Sequence, residues 1–157
     1  MVVAGIDIGA KGSLVILKGK NIIYCDFKDM GILGYIQTLK KHKVDIVIVE
    51  KIHSMPRQGV KSMFSFGQRL GEVEGMLLTL GISYELVAPQ IWQKCLGVSP
   101  KSDKKDIALT ILKRYPQAEL YGKKGGLNDG RSDAIGLAHY GVVKYENNKK
   151  QFTTLQK

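Results

Sequence analysis

Short runs of apolar and β-branched residues, separated by glycine or lysine, dominate the first half of the chain and predict extended strands. Five such runs occur: Val2–Gly9, Gly12–Lys18, Asn21–Phe27, Val44–Glu50 and Ile82–Val87. The first three follow one another closely enough to form a meander. The fourth is continuously apolar from Ile46 to Val49 and ends in a glutamate, which is typical of a central strand covered on both faces.

Apolar residues at helical spacing lie between and after these strands. The predicted helices are Gly31–His42, Met63–Leu80, Gln90–Leu96 with Pro89 as the first helical residue, Asp103–Tyr115 capped by Ser102 or Asp103, and a last helix from about Gly130 to Tyr145. A helix between the third and fourth strands makes a crossover connection. The order therefore predicts an α/β protein with a five-stranded mixed sheet flanked by helices.

The long second helix carries two lines of residues with different characters. Its apolar stripe consists of Phe66, Leu70, Val73, Leu77 and Leu80. A second line at steps of four consists of Gly67, Gly71 and Gly75. Each glycine inside a helix costs about 1 kcal/mol relative to alanine. We therefore expect another backbone to approach this line closely, either from the protein's own sheet or from a second subunit.

Length and charge narrow the classes of function. The 157 residues suit one core and exclude two full lobes. We expect a single domain over residues 1–146 and a polar tail over 147–157. Lys and Arg number 24 against 14 Asp and Glu, so the net charge is +10. Such a field favours a nucleic acid as the partner, ahead of an acidic membrane surface.

Membrane and secretion signals are not apparent in the sequence. No apolar run approaches the ~20 residues that span a bilayer, and the start of the chain lacks the pattern of a signal peptide. Cys25 and Cys95 are far apart and form no zinc motif with the three histidines. We expect a soluble, cytoplasmic protein, in a host cell if the source is viral, with reduced thiols and no membrane contact.

Carboxylates occur at positions where a structural role is unusual. Asp7 lies inside an apolar strand and Glu50 ends another, and a buried carboxylate is normally paired or bound to a metal. Asp129 and Asp133 stand at the start of the last helix, where either one also suits a helix N-cap. Converging oxygen ligands select a hard cation, so Mg²⁺ or Mn²⁺ fits and zinc does not.

Three motifs stand out along the chain: Gly-Ile-Asp-Ile-Gly at 5–9, Val-Ile-Val-Glu-Lys at 47–51 with His-Ser-Met-Pro-Arg-Gln-Gly from residue 53, and Asp-Gly-Arg-Ser-Asp-Ala at 129–134. Together they resemble the RuvC-like Holliday junction resolvases, a branch of the ribonuclease H-like fold, and the phage and viral members most of all. The first motif also opens sugar kinases and actin-like ATPases. Those proteins need a second lobe that this length cannot hold.

The resemblance implies a ribonuclease H-like fold and assigns roles to the acids. It makes Asp7, Glu50 and Asp133 ligands of Mg²⁺, for which Mn²⁺ substitutes. Its usual spacing places a fourth acid at Gly130, so Asp129, one position earlier, is either a ligand, a ligand through water, or a helix cap. It also implies hydrolysis of a phosphodiester by two metal ions, without a covalent intermediate.

Basic and aromatic residues flank these acids and are candidates for DNA contacts. The basic set is Lys51, Arg57, Lys61, Lys101, Lys104, Lys105, Lys123 and Lys124. One of Lys101, Lys104 and Lys105 is expected to neutralise charge on the scissile phosphate. Phe64 is a candidate for stacking on an unpaired base. His53 suits a surface loop, His139 a packed or a solvated helix position, and Trp92 a core anchor.

The functional hypothesis is a magnesium-dependent homodimeric endonuclease that resolves four-way DNA junctions by paired nicks in recombination or repair. The glycine line of the second helix is the expected dimer interface. Two alternatives remain from the sequence: a nuclease of broader range that cuts flaps and other branched DNA, and a junction-binding protein without catalysis. The acids favour an enzyme, because they would repel phosphates at the centre of a simple binding surface.

Overall fold

A computed structural model describes residues 1–51, 59–99 and 101–154, with side chains as far as residue 145. Its strands are β1 (Val3–Ile6), β2 (Ser13–Lys18), β3 (Asn21–Asp26), β4 (Ile46–Glu50) and β5 (Ser83–Val87). They form one sheet in the order β3-β2-β1-β4-β5. The first three strands are antiparallel neighbours, whereas β4 runs parallel to both β1 and β5. The predicted five-stranded mixed sheet is confirmed.

Helices cover both faces of this sheet. They are α1 (Phe27–His42), α2 (Val60–Leu80), α3 (Pro89–Leu96), α4 (Lys104–Arg114) and α5 (Asp129–Thr154). One core cluster joins the sheet to α3, α4 and α5, and the other joins it to α1 and α2. Alternate residues of β1 show the division, since Val3 belongs to the first cluster while Ala4 and Ile6 belong to the second.

Several predicted boundaries are wrong for identifiable reasons. β1 ends at Ile6 because the backbone turns at residues 9–12, where the Gly12 N–H donates to the Gly9 carbonyl at 2.8 Å. α1 begins at Phe27, and its helical run crosses a non-helical Gly31 at φ 57°. α5 continues past Tyr145 to Thr154 because no glycine or proline interrupts that polar stretch.

The position of α5 over the sheet depends on glycine. A Cβ on Gly5 would lie 2.1 Å from the Ala134 carbonyl oxygen and 2.6 Å from the Ala138 nitrogen, so β1 and α5 touch backbone to backbone. A Cβ on Gly136 would lie 2.5 Å from the ring of Trp92, which is buried as predicted. These contacts hold the start of α5 directly over β1.

The glycine line of α2 does not pack on the protein's own sheet. A Cβ on Gly67, Gly71 or Gly75 would meet no atom of the described residues within 4 Å. The expectation that the protein's own sheet approaches this line of glycines is therefore wrong. The same face carries Val60 and Phe64, which are 87% and 74% exposed. An apolar face of α2 is therefore open in this chain.

Neither thiol forms a disulfide, as expected, and Cys25 is buried while Cys95 is half-buried. Among the described residues, no helix combines the length and apolar character needed to cross a membrane.

The backbone contact at Gly5 generates a stability prediction. Gly5→Ala places a methyl group against the α5 backbone, and we expect it to lower the free energy of unfolding by about 1–3 kcal/mol in urea titrations. Gly126→Ala is the control, because its new Cβ would meet nothing within 4 Å. A Gly5 variant as stable as the control would contradict the close approach of β1 and α5.

Candidate active site

The parallel pairing of β1 and β4 places two acids side by side. Ile6 is paired with Val49 in the register, so the next residues, Asp7 and Glu50, emerge together at the carboxyl edge of the sheet. This edge is where open α/β sheets bind ligands. Both side chains are half-buried, and the Gly9 N–H donates to Asp7 Oδ1 at 3.0 Å.

The first turn of α5 brings two further acids to the same edge. Asp129 and Asp133 interact electrostatically with Asp7, and Asp133 does so with Glu50 as well. Asn128 occupies the cap position, since its side chain and carbonyl accept from the Arg131 N–H. Asp129 is therefore not the N-cap of α5, and its carboxylate faces the acid cluster instead.

Gly130 explains the one-residue difference from the family spacing. A Cβ at this position would lie 2.1 Å from the Lys11 carbonyl oxygen and 3.2 Å from Asp7 Oδ2. An aspartate at position 130 would therefore collide with the loop that follows β1. Glycine lets Asp7 approach the start of α5, and Asp129 supplies a carboxylate from the preceding position.

Of the three candidate lysines, Lys104 reaches the acids. Its Nζ donates to Asp129 Oδ2, and its charge also interacts with Asp133 and Asp7. Lys101 and Lys105 are exposed, and none of the described contacts joins their side chains to the acids. Lys104 lies in the first turn of α4, which Asp103 caps by accepting from the Lys105 and Asp106 N–H groups. The capped start of α4 thus directs one ammonium towards the cluster.

Burial and mutual repulsion change the acidities of the carboxyl groups. Burial, followed by repulsion from Asp7, raises the pKa of Glu50 to about 7. The same causes, with further repulsion from Glu50 and Asp129, raise the pKa of Asp133 to about 8. Burial also raises the pKa of Asp7. Burial acts in the same sense on Asp129, but the ion pair with Lys104 outweighs it and lowers that pKa.

The four acidic side chains have the chemistry of ligands for a hard divalent cation, although they do not form a complete coordination site. All four groups are carboxylates, and a single ammonium cannot neutralise them. Trp92 Nε1 donates to Glu50 Oε1 at 3.3 Å, which leaves Oε2 for another partner. Among the described residues, no three His, Cys, Asp or Glu side chains are close enough to form a ready-made metal site. The acids converge without being in ligand contact.

An ion pair that the sequence analysis missed anchors the start of α5. Arg131 Nε and Nη2 donate to the Asp26 carboxylate at 2.7–3.1 Å, and Nη1 donates to the Glu119 carbonyl at 3.0 Å. Ser13 Oγ donates to the same Asp26 at 2.6 Å. In the sequence, the position of Arg131 between Asp129 and Asp133 was the feature that could have indicated a structural role for this arginine. This network ties α5 to the end of β3.

The remaining candidates differ in their exposure. Lys51, Lys61, Lys123 and Lys124 are exposed in segments next to β4, α2 and α5, and Phe64 is exposed as expected. Arg57 and His53 lie outside the described residues. His139 is buried with its Nδ1 2.8 Å from the Tyr115 hydroxyl, and burial lowers its pKa to about 4. Its packed role is confirmed.

Comparison with solved structures identifies the fold. *Thermus thermophilus* RuvC in complex with a Holliday junction aligns with a TM-score of 0.65 and 18% identity over 89% of this chain and 91% of that chain. The fowlpox virus resolvase in complex with its substrate Holliday junction DNA gives 0.58 and 16% over 94% and 98%. The yeast mitochondrial Holliday junction resolvase Ydc2 gives 0.53 and 17% over 96% and 83%.

Sequence comparison gives no further assignment, since no protein-family model and no curated protein matches the chain. The structural similarity is nevertheless close to full length in all three cases. The class defined by the fold is therefore the ribonuclease H-like α/β class. Within it, this chain has the fold of the RuvC-type resolvases, which confirms the fold expected from its motifs.

The raised pKa values predict how stability depends on pH without metal. The folded protein holds protons on Asp133 and Glu50 up to pH of about 7–8, whereas the unfolded chain releases them near pH 4. Stability contributed by the protonated acids is therefore full below pH of about 4 and is lost as the pH rises towards 8. Asp133→Asn, which mimics the neutral acid, should remove part of this loss.

Thermal unfolding in EDTA from pH 5 to pH 8 measures the effect. We expect the melting temperature of Asp133→Asn, relative to that of the wild type, to be at least about 3 °C higher at pH 8 than at pH 5. The exposed Asp29→Asn controls for the loss of one negative charge. Parallel melting curves of wild type and Asp133→Asn across this range would show that Asp133 is not held protonated.

Proposed function

We propose that this protein is a divalent-metal-dependent endonuclease that resolves four-way DNA junctions by paired nicks. The observation that carries the proposal is the convergence of Asp7, Glu50 and Asp133 at the carboxyl edge of a resolvase-type sheet. The similar proteins from *Thermus* and fowlpox virus are described in complex with Holliday junctions. The charge of +10 supports a polyanionic substrate.

The chemistry follows from the charges of the site. Bound Mg²⁺, or Mn²⁺ in its place, would act as a Lewis acid on the scissile phosphate and activate water, with two ions as the expected number. Asp7, Glu50 and Asp133 would hold the cations, with Asp129 as a further oxygen donor. The hydrogen bond from Trp92 would fix the orientation of Glu50.

Lys104 would supply the positive charge that does not depend on metal. Its side chain is 69% exposed although its ammonium group pairs with Asp129. The side chain can therefore turn towards an incoming phosphate without exposing a large buried surface. There it would donate to a non-bridging oxygen as negative charge develops. The exposed lysines Lys51, Lys123 and Lys124 would contact phosphates away from the cut and give salt-dependent affinity.

Two alternatives are weaker on the same observations. A nuclease of broader range would use the same acids, so only substrate preference separates it from a resolvase. A non-catalytic binding protein would retain four acids that repel phosphates at the centre of its surface, two of which, Glu50 and Asp133, have pKa values raised by burial and by repulsion from Asp7. The energetic cost of this arrangement favours catalysis.

We further propose that the enzyme is a homodimer formed through α2. Val60, Phe64 and Leu78 are 87%, 74% and 69% exposed and share a face with the glycine line. A second copy of α2 would cover these side chains, and the glycines would allow the two backbones to approach. A twofold dimer would present two active sites to opposed strands of a junction.

Cleavage of an immobile four-way junction, beside a flap and a linear duplex, tests the enzymatic proposal. We expect paired symmetric nicks in the junction with Mg²⁺, no product with EDTA, and a loss on the order of 100-fold or more in Asp7→Asn. Lys18→Ala, an exposed lysine at the opposite edge of the sheet, is the control. Equal cutting of the flap would favour the broader nuclease, and tight binding without cleavage would favour the binding protein.

Sedimentation of Gly71→Glu tests the dimer. The charged side chain would enter the middle of the open α2 face, so we expect it to convert a dimer of twice 17.4 kDa into a monomer. Leu33→Glu, at a leucine that is 69% exposed on α1, is the matched control and should remain dimeric. A wild-type protein that is monomeric both alone and on a junction would contradict this interface.

A further inference from the structure

A pocket beside the acid cluster is not used by the mechanism above. It has a volume of about 360 Å³ and lies between the loop after β1 and the first turns of α2. Its walls include Ile8, Lys61, Ser62, Ser65, Phe66 and Arg69. This volume falls at the lower end of the ~300 to 1,000 Å³ typical of small-molecule sites. The pocket is large enough for one nucleotide and too small for a folded partner.

Arg69 is held rigidly at the wall of this pocket. Its Cζ lies 3.3 Å from the centre of the Phe27 ring, and its Nε lies 3.1 Å from Glu72 Oε2. Its Nη1 is buried and has no hydrogen-bond acceptor within the part of the chain that the structure describes. Buried donors normally have an acceptor. A guanidinium fixed at the pocket wall presents a positive charge that is suited to an anionic group such as a phosphate.

The other walls suit a nucleobase. Phe66, which the apolar periodicity places in the core, is half-buried and lines the pocket instead. Ile8 adds an apolar surface, and an aromatic ring beside such a surface is a stacking platform for any base. The Ser62 hydroxyl can donate to or accept from the polar edge of a base, and the Ser65 hydroxyl, which donates to the Lys61 carbonyl at 3.0 Å, can accept from it. A site for phosphate alone would not need these apolar walls.

The location connects this pocket to the reaction. Ile8 directly follows Asp7 but packs with α1 and α2, whereas Asp7 faces α5, so the pocket and the acids lie on the two sides of the same sheet edge. At about 100° per residue, the pocket residues of α2 lie on the face opposite the glycine line. A dimer formed through the glycine line would therefore leave the pocket open to DNA.

We propose that this pocket binds the nucleotide of the cleaved strand that flanks the scissile phosphate. Lys61 and Arg69 contact its phosphate, and its base stacks on Phe66. The two serine hydroxyls contact the edge of the base and give the enzyme a preference for the nucleotide at this position. The inference rests on the proposed function for the identity of the substrate, and binding without metal tests it independently of cleavage.

The first experiment follows backbone amide chemical shifts in EDTA. The probes are a 5′-phosphorylated dinucleotide, a mononucleotide and inorganic phosphate. We expect the dinucleotide to shift the amides of Ser62, Ser65 and Arg69 and to bind more tightly than either smaller probe. Ser65→Trp, which fills the pocket from an exposed helix position, and Lys61→Ala should each weaken its binding about tenfold. Lys18→Ala should change it less than twofold.

Specific outcomes overturn the proposal. Inorganic phosphate that binds as tightly as the dinucleotide would reduce the pocket to a simple anion site. A mononucleotide that binds equally well would remove the link to a DNA strand. Shifts confined to other parts of the chain, or unchanged binding in Ser65→Trp, would place the nucleotide elsewhere.

A second experiment measures the effect on cleavage. In junctions with an abasic residue next to the cut, we expect the wild type to cleave about tenfold more slowly than on the intact junction. Ser65→Trp should cut both junctions at similar rates. A wild type indifferent to the missing base would contradict a base pocket. A protein that cuts no junction, yet binds the dinucleotide in this pocket, would contradict the proposed function and still support the nucleotide site.

Discussion

Repulsion between like charges at the carboxyl edge of the sheet is the constraint that the surrounding structure has to withstand. In addition to the effect of burial, Asp7 raises the pKa values of Glu50 and Asp133, Glu50 raises that of Asp133, and Asp129 raises that of Asp7. Left to themselves, these carboxylates would move apart into solvent. They stay together because each is attached to a rigid element: Asp7 and Glu50 follow paired strands, and Asp133 lies on a helix that touches β1 through Gly5. The ion pair of Arg131 with Asp26 holds the start of that helix in place.

The same constraint accounts for the neighbours of the acids. Lys104 provides the one ammonium that contacts the cluster among the described residues, and Asp129 is the one acid of the four whose pKa is lowered overall. Trp92 orients Glu50 from the core side, where its ring also packs against Gly136 of α5. The remaining negative charge is what a hard divalent cation would neutralise. A binding site for cations and phosphates is therefore consistent with the geometry that holds the acids in place.

Much of the fold and the acid set could be predicted from the sequence. The apolar strand interrupted by Asp7 and the strand ending in Glu50 carry their own signals, since burial of an isolated charge is costly. Helix ends were harder to predict: α5 continues to Thr154 because nothing stops it, and α1 tolerates a non-helical Gly31. The Arg131–Asp26 pair and the pocket at Arg69 were missed because they join residues far apart in the chain, and local patterns do not reveal such contacts. The spacing of Asp129 is explained only by the contact of Gly130 with Lys11.

The central claim, that three carboxylates form a divalent-cation site at this edge, is tested most directly by anomalous diffraction from crystals soaked in Mn²⁺. We predict anomalous density between Asp7, Glu50 and Asp133 in the wild type. This density should be absent from Asp7→Asn crystals of the same form. Density located only at other surface carboxylates would contradict the account, as would its absence at saturating Mn²⁺ and a pH above the pKa values of Glu50, about 7, and Asp133, about 8.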